Sequence, residues 1–281
     1  MSNTLTPTRL TRDDVLVDAA WLAQHLHDPN LRVVEIDVSP AAYNAGHIAG
    51  AILWNVYADL KDANYQTLDN GAFSQLVSRS GIDSDSTVVF YGYAPAMGVW
   101  LMKLYGHVDA RVLDCARDVW ETHGLPWDVE VPVPTPTHYV LPDGEPRLRA
   151  TALDVRRAIT DPALTLIDVR SEAEYVGERF WPSGGMEEGG RAGHVPGAQR
   201  LSIDDMRDAR GSFVDVSVLR AIVDAVVGEG EAITYCTVGG RACTAWFVLT
   251  YLLGRDVRVY DGSWAEWGRL PSSLVELGSG K

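Results

Sequence analysis

The chain has 281 residues, of which 46% are apolar and 22% charged, which predicts one large globular domain or two ordinary ones. This length and composition exclude a disulfide-stapled miniprotein and a disordered tail. The 38 acidic side chains outnumber the 24 Lys and Arg side chains, for a formal charge of −14. Such a charge argues against electrostatic binding to nucleic acid or to an anionic membrane surface.

The three cysteines indicate a reducing compartment, because an odd number spread over a long chain does not form a disulfide framework. At least one thiol must be free. The first residues contain no apolar run of signal-peptide length, and no later segment approaches the roughly 18 apolar residues of a membrane span. We therefore expect a cytoplasmic protein.

An internal repeat organises the chain. Four short segments of the first half have counterparts in the second, and the last two pairs keep an offset of about 145 residues, which is far too long for a solenoid repeat. The paired segments are 32–38 and 164–169, 46–51 and 193–198, 87–92 and 232–236, and 110–114 and 257–261. The repeat predicts a duplication of a whole domain.

The elements of each copy predict an α/β fold. Short Val- and Ile-rich runs alternate with amphipathic stretches such as 20–26 and 218–226, which is typical of a mostly parallel sheet with helices on both faces. Six prolines between residues 125 and 147 indicate a semi-extended linker. We predict an N-terminal domain over 1–124, a linker over 125–147 and a C-terminal domain over 148–281. Functional groups then belong in loops at the carboxyl ends of the strands.

A cysteine follows one of these strands directly. Strand 232–235 leads into Cys236, and an apolar helix beyond the next loop ends near Gly254. Adjacent glycines let backbone N–H groups converge on an anion at a helix N-terminus, and a nearby arginine adds charge. The loop after the cysteine consists of Thr237, Val238, Gly239, Gly240, Arg241 and Ala242. A buried structural cysteine is the alternative, but the setting favours a nucleophilic thiolate at Cys236.

In combination, these motifs make the chain similar to the tandem two-domain members of the rhodanese family of sulfurtransferases, from about residue 15 to about 271. The resemblance rests on both Gly-His motifs, the CTVGGRA loop and the Tyr-Asp-Gly-Ser-Trp segment. It implies two rhodanese-like domains, with ping-pong chemistry in the second. Cys236 would take a sulfane sulfur as a persulfide and pass it to a nucleophilic acceptor such as cyanide, a thiol or a thioredoxin-like protein.

The first copy of the repeat lacks the cysteine. Gly92 stands where the second copy has Cys236, and the following loop, 93–98, has neither thiol nor basic residue. We therefore predict that the N-terminal domain is catalytically inactive. The family resemblance implies that it forms one wall of a cleft at the domain interface.

The length of the cysteine loop bears on the reaction. Rhodanese-like phosphatases place five residues between cysteine and arginine, whereas four separate Cys236 from Arg241. The resemblance therefore implies sulfur transfer. Thr237, Val238 and Arg241 match loops that accompany thiosulfate better than those that accompany 3-mercaptopyruvate, so a small anionic donor, thiosulfate, is preferred. Mercaptopyruvate transfer and a non-catalytic sulfur-binding or partner-recognition module remain alternatives.

Other cations could bind the donor. The second copy carries an insertion over 176–192, and family members with an active second domain have a comparable stretch beside the cleft. Arg179 and Arg191 are therefore candidates alongside Arg241. Some members have Arg where this chain has Glu174, so another cation must substitute if thiosulfate binds in the same way.

The remaining candidates are assigned to the scaffold. His47 and His194 lie in Gly-His turns without a second ligand at zinc spacing, so we expect neither a metal nor a cofactor. Asp37, Asp168 and Asp261 end strands and are expected to cap neighbouring loops. Cys115 and Cys243 are predicted to be structural thiols.

Overall fold

The structure is a computed structural model, and it describes residues 12–278. The strands are β1 (Leu16–Val17), β2 (Leu31–Asp37), β3 (His47–Ile48), β4 (Ile52–Asn55), β5 (Thr87–Gly92), β6 (Ala110–Leu113), β7 (Trp127–Asp128), β8 (Leu164–Asp168), β9 (Gln199–Arg200), β10 (Glu231–Tyr235) and β11 (Val257–Val259). The helices are α1 (Arg12–Val15), α2 (Ala19–His25), α3 (Ala41–Ala45), α4 (Asn70–Arg79), α5 (Pro95–Leu104), α6 (Arg117–Thr122), α7 (Ala152–Ala158), α8 (Glu172–Tyr175), α9 (Val216–Asp224), α10 (Gly240–Phe247) and α11 (Ser263–Trp267).

Two parallel sheets dominate the fold. The first has the strand order β1-β6-β5-β2-β4 and the second β11-β10-β8-β9, and every neighbouring pair within them is parallel. A small antiparallel ladder joins β3 to β7. The prediction of two tandem α/β domains with mostly parallel sheets is confirmed.

Side chains along each central strand alternate between two cores, because successive residues of a strand point to opposite faces. In the first sheet Val34 and Phe90 belong to one cluster, whereas Val33 and Val89 belong to another. The first of these clusters also contains Ile167 and other residues of the second sheet, so a single apolar core runs through both domains. Each domain has a further cluster on its outer face.

Helices α5 and α10 pack against each other at the centre of the molecule. Each follows the central strand of its own sheet, so they are the equivalent helices of the two copies. Every residue of α5 is buried. Gly98 allows this packing against β5, because a Cβ there would lie 2.3 Å from the ring of Phe90. Within residues 12–278, no helix has the length and apolar character needed to cross a membrane.

The Gly-His turns form the same structure twice. The His47 ring stacks on Tyr43 at 4.0 Å between centroids, and the His194 ring stacks on Tyr175 at 3.7 Å. In each pair histidine Nδ1 lies 2.9 Å from the tyrosine carbonyl oxygen, and each tyrosine hydroxyl donates to an alanine carbonyl at 2.7 Å. Both histidines therefore pack within the scaffold. Between residues 12 and 278 no cluster of His, Cys, Asp and Glu could hold a metal ion.

The proline-rich segment lies along the first domain. Apart from β7, residues 125–145 form no regular element, and a short 3-10 turn follows at Pro146–Leu148. The backbone N–H of Thr137 donates to the carbonyl of Ser78 at 2.9 Å, and the Ser78 hydroxyl donates to the carbonyl of Tyr139 at 3.0 Å. The segment is thus extended and tied to the end of α4.

Candidate active site

Cys236 lies at the carboxyl end of β10, and α10 begins four residues later. The cysteine is 1% exposed, and its Sγ accepts a hydrogen bond from the Gly239 N–H at 3.1 Å. Gly239 has a φ of +91°, and an added Cβ would lie 2.9 Å from the carbonyl oxygen of Asp261. This position therefore requires glycine, because both the backbone conformation and the space exclude a side chain.

Hydrogen bonds from the segment that leads into α11 hold the backbone of the cysteine loop in place. Ser263 Oγ accepts a hydrogen bond from the Cys236 N–H at 3.1 Å and donates to the carbonyl of Tyr260 at 2.8 Å. The Cys236 carbonyl accepts from the N–H of Trp264, and the Thr237 carbonyl accepts from that of Ala265, both at 2.9 Å. These bonds satisfy the loop backbone and fix where the thiol points.

Arg241 is paired with the carboxylate of Glu174. Its Nη1 and Nη2 atoms donate to the two carboxylate oxygens at 2.9 and 2.8 Å, and Nη2 also donates to the Thr237 hydroxyl at 2.7 Å. That hydroxyl in turn donates to Glu174 at 2.6 Å. Glu174 is fully buried and also caps α8 through Ser171. The arginine of the loop is therefore held in a closed network.

The network sets the charge of its members. Burial would raise the pKa of Glu174, but the hydrogen bonds and charge of Arg241, with hydrogen bonds from Thr237 and Ser171, lower it to about 2. Burial opposes the charge of Arg241, yet its bonds to Glu174 and the proximity of Cys236 raise its pKa overall. Both partners are ionised at neutral pH, and their charges balance.

A second charged cluster joins the domains beneath the loop. Lys61 of the first domain donates from Nζ to the carbonyl of Asp261 at 3.0 Å and to the Thr67 hydroxyl at 3.1 Å. Arg149 binds the Asp261 carboxylate through Nε at 2.7 Å and Nη2 at 3.0 Å. The backbone N–H of Thr67 also donates to the Asp261 carboxylate, at 3.0 Å. Asp261 is thus a scaffold residue, and two of its partners, Lys61 and Thr67, come from the other domain.

The two insertion arginines lie in different surroundings. Arg179 donates to the Ser171 hydroxyl at 3.1 Å, which connects it to the network of Glu174. Arg191 donates from all three guanidinium nitrogens to groups around the end of α11, including the carbonyls of Gly268 at 3.3 Å and Ser273 at 2.7 Å. The structure therefore connects Arg179 to the Glu174 network through Ser171, whereas the guanidinium of Arg191 binds the backbone around the end of α11.

Aromatic side chains of the first domain border the same region. Tyr57 is 41% exposed and Tyr93 is 50% exposed. Burial of their hydroxyls raises the pKa of both, and the charges of Cys236 and Arg241 act on both. Tyr93 follows Gly92, the sequence counterpart of Cys236, so the first domain has an aromatic ring next to the position that corresponds to the thiol.

Two segments of the chain, residues 18–123 and 151–270, match the Rhodanese-like domain. The chain therefore belongs to the rhodanese family and contains two such domains in tandem. This confirms the family resemblance found in the sequence. The chain belongs to the class of rhodanese-family sulfurtransferases.

Curated relatives match over nearly the whole chain. "Putative thiosulfate sulfurtransferase SseA" of Mycobacterium bovis is 40% identical over 261 residues, 90% of this chain and 87% of the relative. A relative from Haloferax volcanii, also named "Putative thiosulfate sulfurtransferase", is 37% identical, over 95% of this chain and 97% of the relative. "Sulfur carrier protein TtuD" of Thermus thermophilus is 36% identical, covering 94% and 97%.

Solved structures share the fold at lower identity. An anaerobic ergothioneine biosynthesis enzyme from Chlorobium limicola superposes with a TM-score of 0.82 at 22% identity, over 99% of this chain and 73% of that one. YnjE superposes with a TM-score of 0.80 at 23% identity, over 97% of this chain and 70% of the YnjE chain.

Sequence reasoning missed two parts of this site. Glu174 was noted only as a departure from the family pattern, although it is the partner of Arg241. No sequence motif includes Lys61, although it donates to the Asp261 carbonyl, next to the cysteine loop, from the other domain. The rarity of lysine was the one available signal, since the chain has only Lys61, Lys103 and Lys281.

Proposed function

We propose that this chain transfers a sulfane sulfur from thiosulfate to a nucleophilic acceptor through a persulfide on Cys236. The observation that carries the proposal is the setting of the thiol. It ends a central strand, accepts a hydrogen bond from the Gly239 N–H and faces the N-terminus of α10. Such a setting stabilises a sulfur anion, which is the form that attacks.

The proposed reaction has two half-steps. The Cys236 thiolate attacks the outer sulfur of thiosulfate, the S–S bond breaks, and sulfite leaves with the bonding electron pair. The acceptor then attacks the terminal sulfur of the persulfide, and the Cys236 thiolate leaves. The Gly239 N–H stabilises the sulfur anion that starts the first half-step and is regenerated by the second. No external oxidant or reductant is required.

Thiosulfate is preferred as donor over 3-mercaptopyruvate. Relatives at 37–40% identity carry the name of a thiosulfate enzyme, and the loop has an arginine close to the thiol. Arg241 and Arg179 are the cations we place in the donor site. Arg191 is left out, since its side-chain donors bind the framework. The acceptor is proposed by class only, as cyanide, a small thiol or a thioredoxin-like protein.

Intact-mass spectrometry tests the proposal. After incubation with thiosulfate and removal of the excess, the protein should gain the mass of one sulfur atom, and cyanide should remove it. Cys236→Ser should show no gain, whereas Cys115→Ser should gain as the unchanged protein does. An unchanged mass in the folded protein would reject thiosulfate as the donor, and an unchanged mass after incubation with mercaptopyruvate as well would reject persulfide chemistry and favour the binding-module alternative.

Initial rates then distinguish the donors. We expect turnover with thiosulfate to exceed turnover with mercaptopyruvate at equal concentration, with cyanide as acceptor. The reverse order would assign the chain to the mercaptopyruvate class while leaving the role of Cys236 intact.

A further inference from the structure

The charge beside the thiol does not come from Arg241 alone. Arg241 and Glu174 form a bidentate pair in which the negative partner is fully buried, so the pair carries no net charge. The cluster beneath the loop is different. Within ion-pair distance one carboxylate, Asp261, faces two cations, Lys61 and Arg149, and Glu266 acts on Arg149 from further away.

Lys61 is the more enclosed of these two cations. Its side chain is 0% exposed, whereas that of Arg149 is 30% exposed. Burial lowers the pKa of Lys61, and the charge of Asp261, whose carboxylate lies 3.7 Å from Nζ, opposes this. Three oxygens surround Nζ, those of the Asp261 carbonyl, the Thr67 hydroxyl and the Asp261 carboxylate, and this arrangement fits the three N–H donors and the charge of an ammonium group.

The ammonium lies against the backbone that holds the thiol. A Cβ added to Gly239 would be 3.4 Å from Lys61 Nζ and 2.9 Å from the Asp261 carbonyl oxygen to which Lys61 donates. Gly239 is the residue whose N–H binds Cys236 Sγ. Lys61 therefore lies directly behind the turn whose N–H binds the thiol, and it comes from the domain whose equivalent loop has no cysteine.

We propose that Lys61 is a positioning residue for sulfur transfer, which fixes the Asp261–Gly239 contact and places a buried positive charge where it stabilises the Cys236 thiolate. This inference rests on the proposed function and deepens it. Through Lys61, the first domain would contribute charge to the reaction, in addition to forming one wall of the cleft between the domains.

The other groups that interact electrostatically with Cys236 are Arg241, Tyr57, Tyr93 and Cys243. Burial raises the pKa of both tyrosines and, to a large extent, that of the Cys243 thiol, so these three are neutral at pH 7. Arg241 is balanced by Glu174. We therefore expect that removing the charge of Lys61 reduces the electrostatic stabilisation of the Cys236 thiolate.

The test measures the reactivity of Cys236 without requiring sulfur transfer. The folded protein is treated with iodoacetamide at a series of pH values, and the alkylation rate of Cys236 is read from tryptic peptides. Cleavage after Arg241 separates Cys236, in peptide 221–241, from Cys243, in peptide 242–255. Each variant is first shown to be folded by its thermal unfolding.

Two variants remove the charge. Lys61→Met keeps the length of the side chain, and Lys61→Gln keeps a hydrogen-bond donor. In both, we expect the pH midpoint of alkylation to rise by about one unit and the rate at a pH below both midpoints to fall roughly tenfold, since there one unit is a tenfold change in the thiolate fraction. Lys103→Met is the matched control, because Lys103 is also buried in the first domain but bonds to Val108, and its midpoint should not move.

A folded Lys61→Met protein with an unchanged midpoint would overturn the proposal, and so would an equal shift in Lys103→Met. If neither Lys61 variant folds, Arg149→Gln removes the more exposed cation of the same cluster, and its midpoint should rise as well, though by less. An unchanged midpoint there counts against the proposal. Because alkylation needs no persulfide, a failed mass gain with thiosulfate would reject the proposed function while this experiment still reports on Lys61.

Discussion

Glu174 determines what the arginine of the loop can do. Its carboxylate binds Arg241 and Thr237, and the same side chain closes the capping box of α8 with Ser171. A side chain with so many partners positions the loop, and it also withholds part of the charge of Arg241 from an incoming anion. Under the proposed function, attraction of the donor therefore depends on cations in addition to Arg241.

The pairing of Glu174 predicts a defined dependence of stability on pH. The pKa of this carboxyl is lowered from 4.5 to about 2 in the folded state. Its contribution is therefore complete above about pH 4.5 and is lost as the pH falls towards 2. The shift corresponds to roughly 3 kcal/mol. Glu174→Gln should be less stable than the unchanged protein at pH 7, and this difference should shrink below pH 4.5 in urea unfolding.

Glu172→Gln provides the control for this measurement, because Glu172 lies on the same helix and its side chain is 73% exposed. It should alter stability by less than about 0.5 kcal/mol at either pH. A Glu174→Gln difference that stays constant from pH 7 to pH 3 would contradict the assignment.

The junction between β10 and α10 is the element on which the site depends. The two glycines there are not equivalent. Gly239 has a positive φ and touches Asp261, whereas Gly240 is the first residue of the helix, and a Cβ there would meet only Ala94 at 3.4 Å. Only one of them is required by the turn.

The adjacent glycines therefore form a matched pair of tests. Gly239→Ala should strain the loop and displace the N–H from Cys236 Sγ, which should lower the rate of persulfide formation at least tenfold. Gly240→Ala should keep most of the rate. Stopped-flow measurement of sulfite release on mixing with thiosulfate distinguishes the two. Equal rates in both variants would show that the Gly239 hydrogen bond does not matter for the reaction.

At the scale of the whole molecule, the domains share their central core. Helices α5 and α10 pack against each other, and one apolar cluster includes residues of both sheets, so neither half buries its core without the other. Polar contacts add to this. The Asp114 carboxylate accepts from the Phe213 N–H at 2.7 Å, and the Ala116 N–H donates to the carbonyl of Arg210 at 2.8 Å.

This shared core predicts a single unfolding transition. Differential scanning calorimetry should give one peak whose calorimetric enthalpy equals the van't Hoff enthalpy, because the halves cannot unfold independently. Two resolved transitions would contradict the prediction.

The duplicated fold and the position of the thiol were accessible from the sequence, because strand runs, Gly-His turns and a Cys-to-helix loop are local patterns. The charge arrangement was not. Glu174 meets Arg241 across 67 residues, and Lys61 meets Asp261 across 200, and no periodicity reports contacts of that range. The positions of Arg179 and Arg191 could not be separated for the same reason, since both read as loop arginines.

The enclosure of Cys236 has a consequence for the lifetime of sulfur carried on it. A thiol that is 1% exposed presents almost no surface to bulk solvent. Under the proposed chemistry, a sulfur atom added there would be shielded from reducing thiols that cannot enter between the domains. Release would then depend on the shape and size of the acceptor more than on its abundance, so the protein could keep its cargo in a compartment rich in competing reductants.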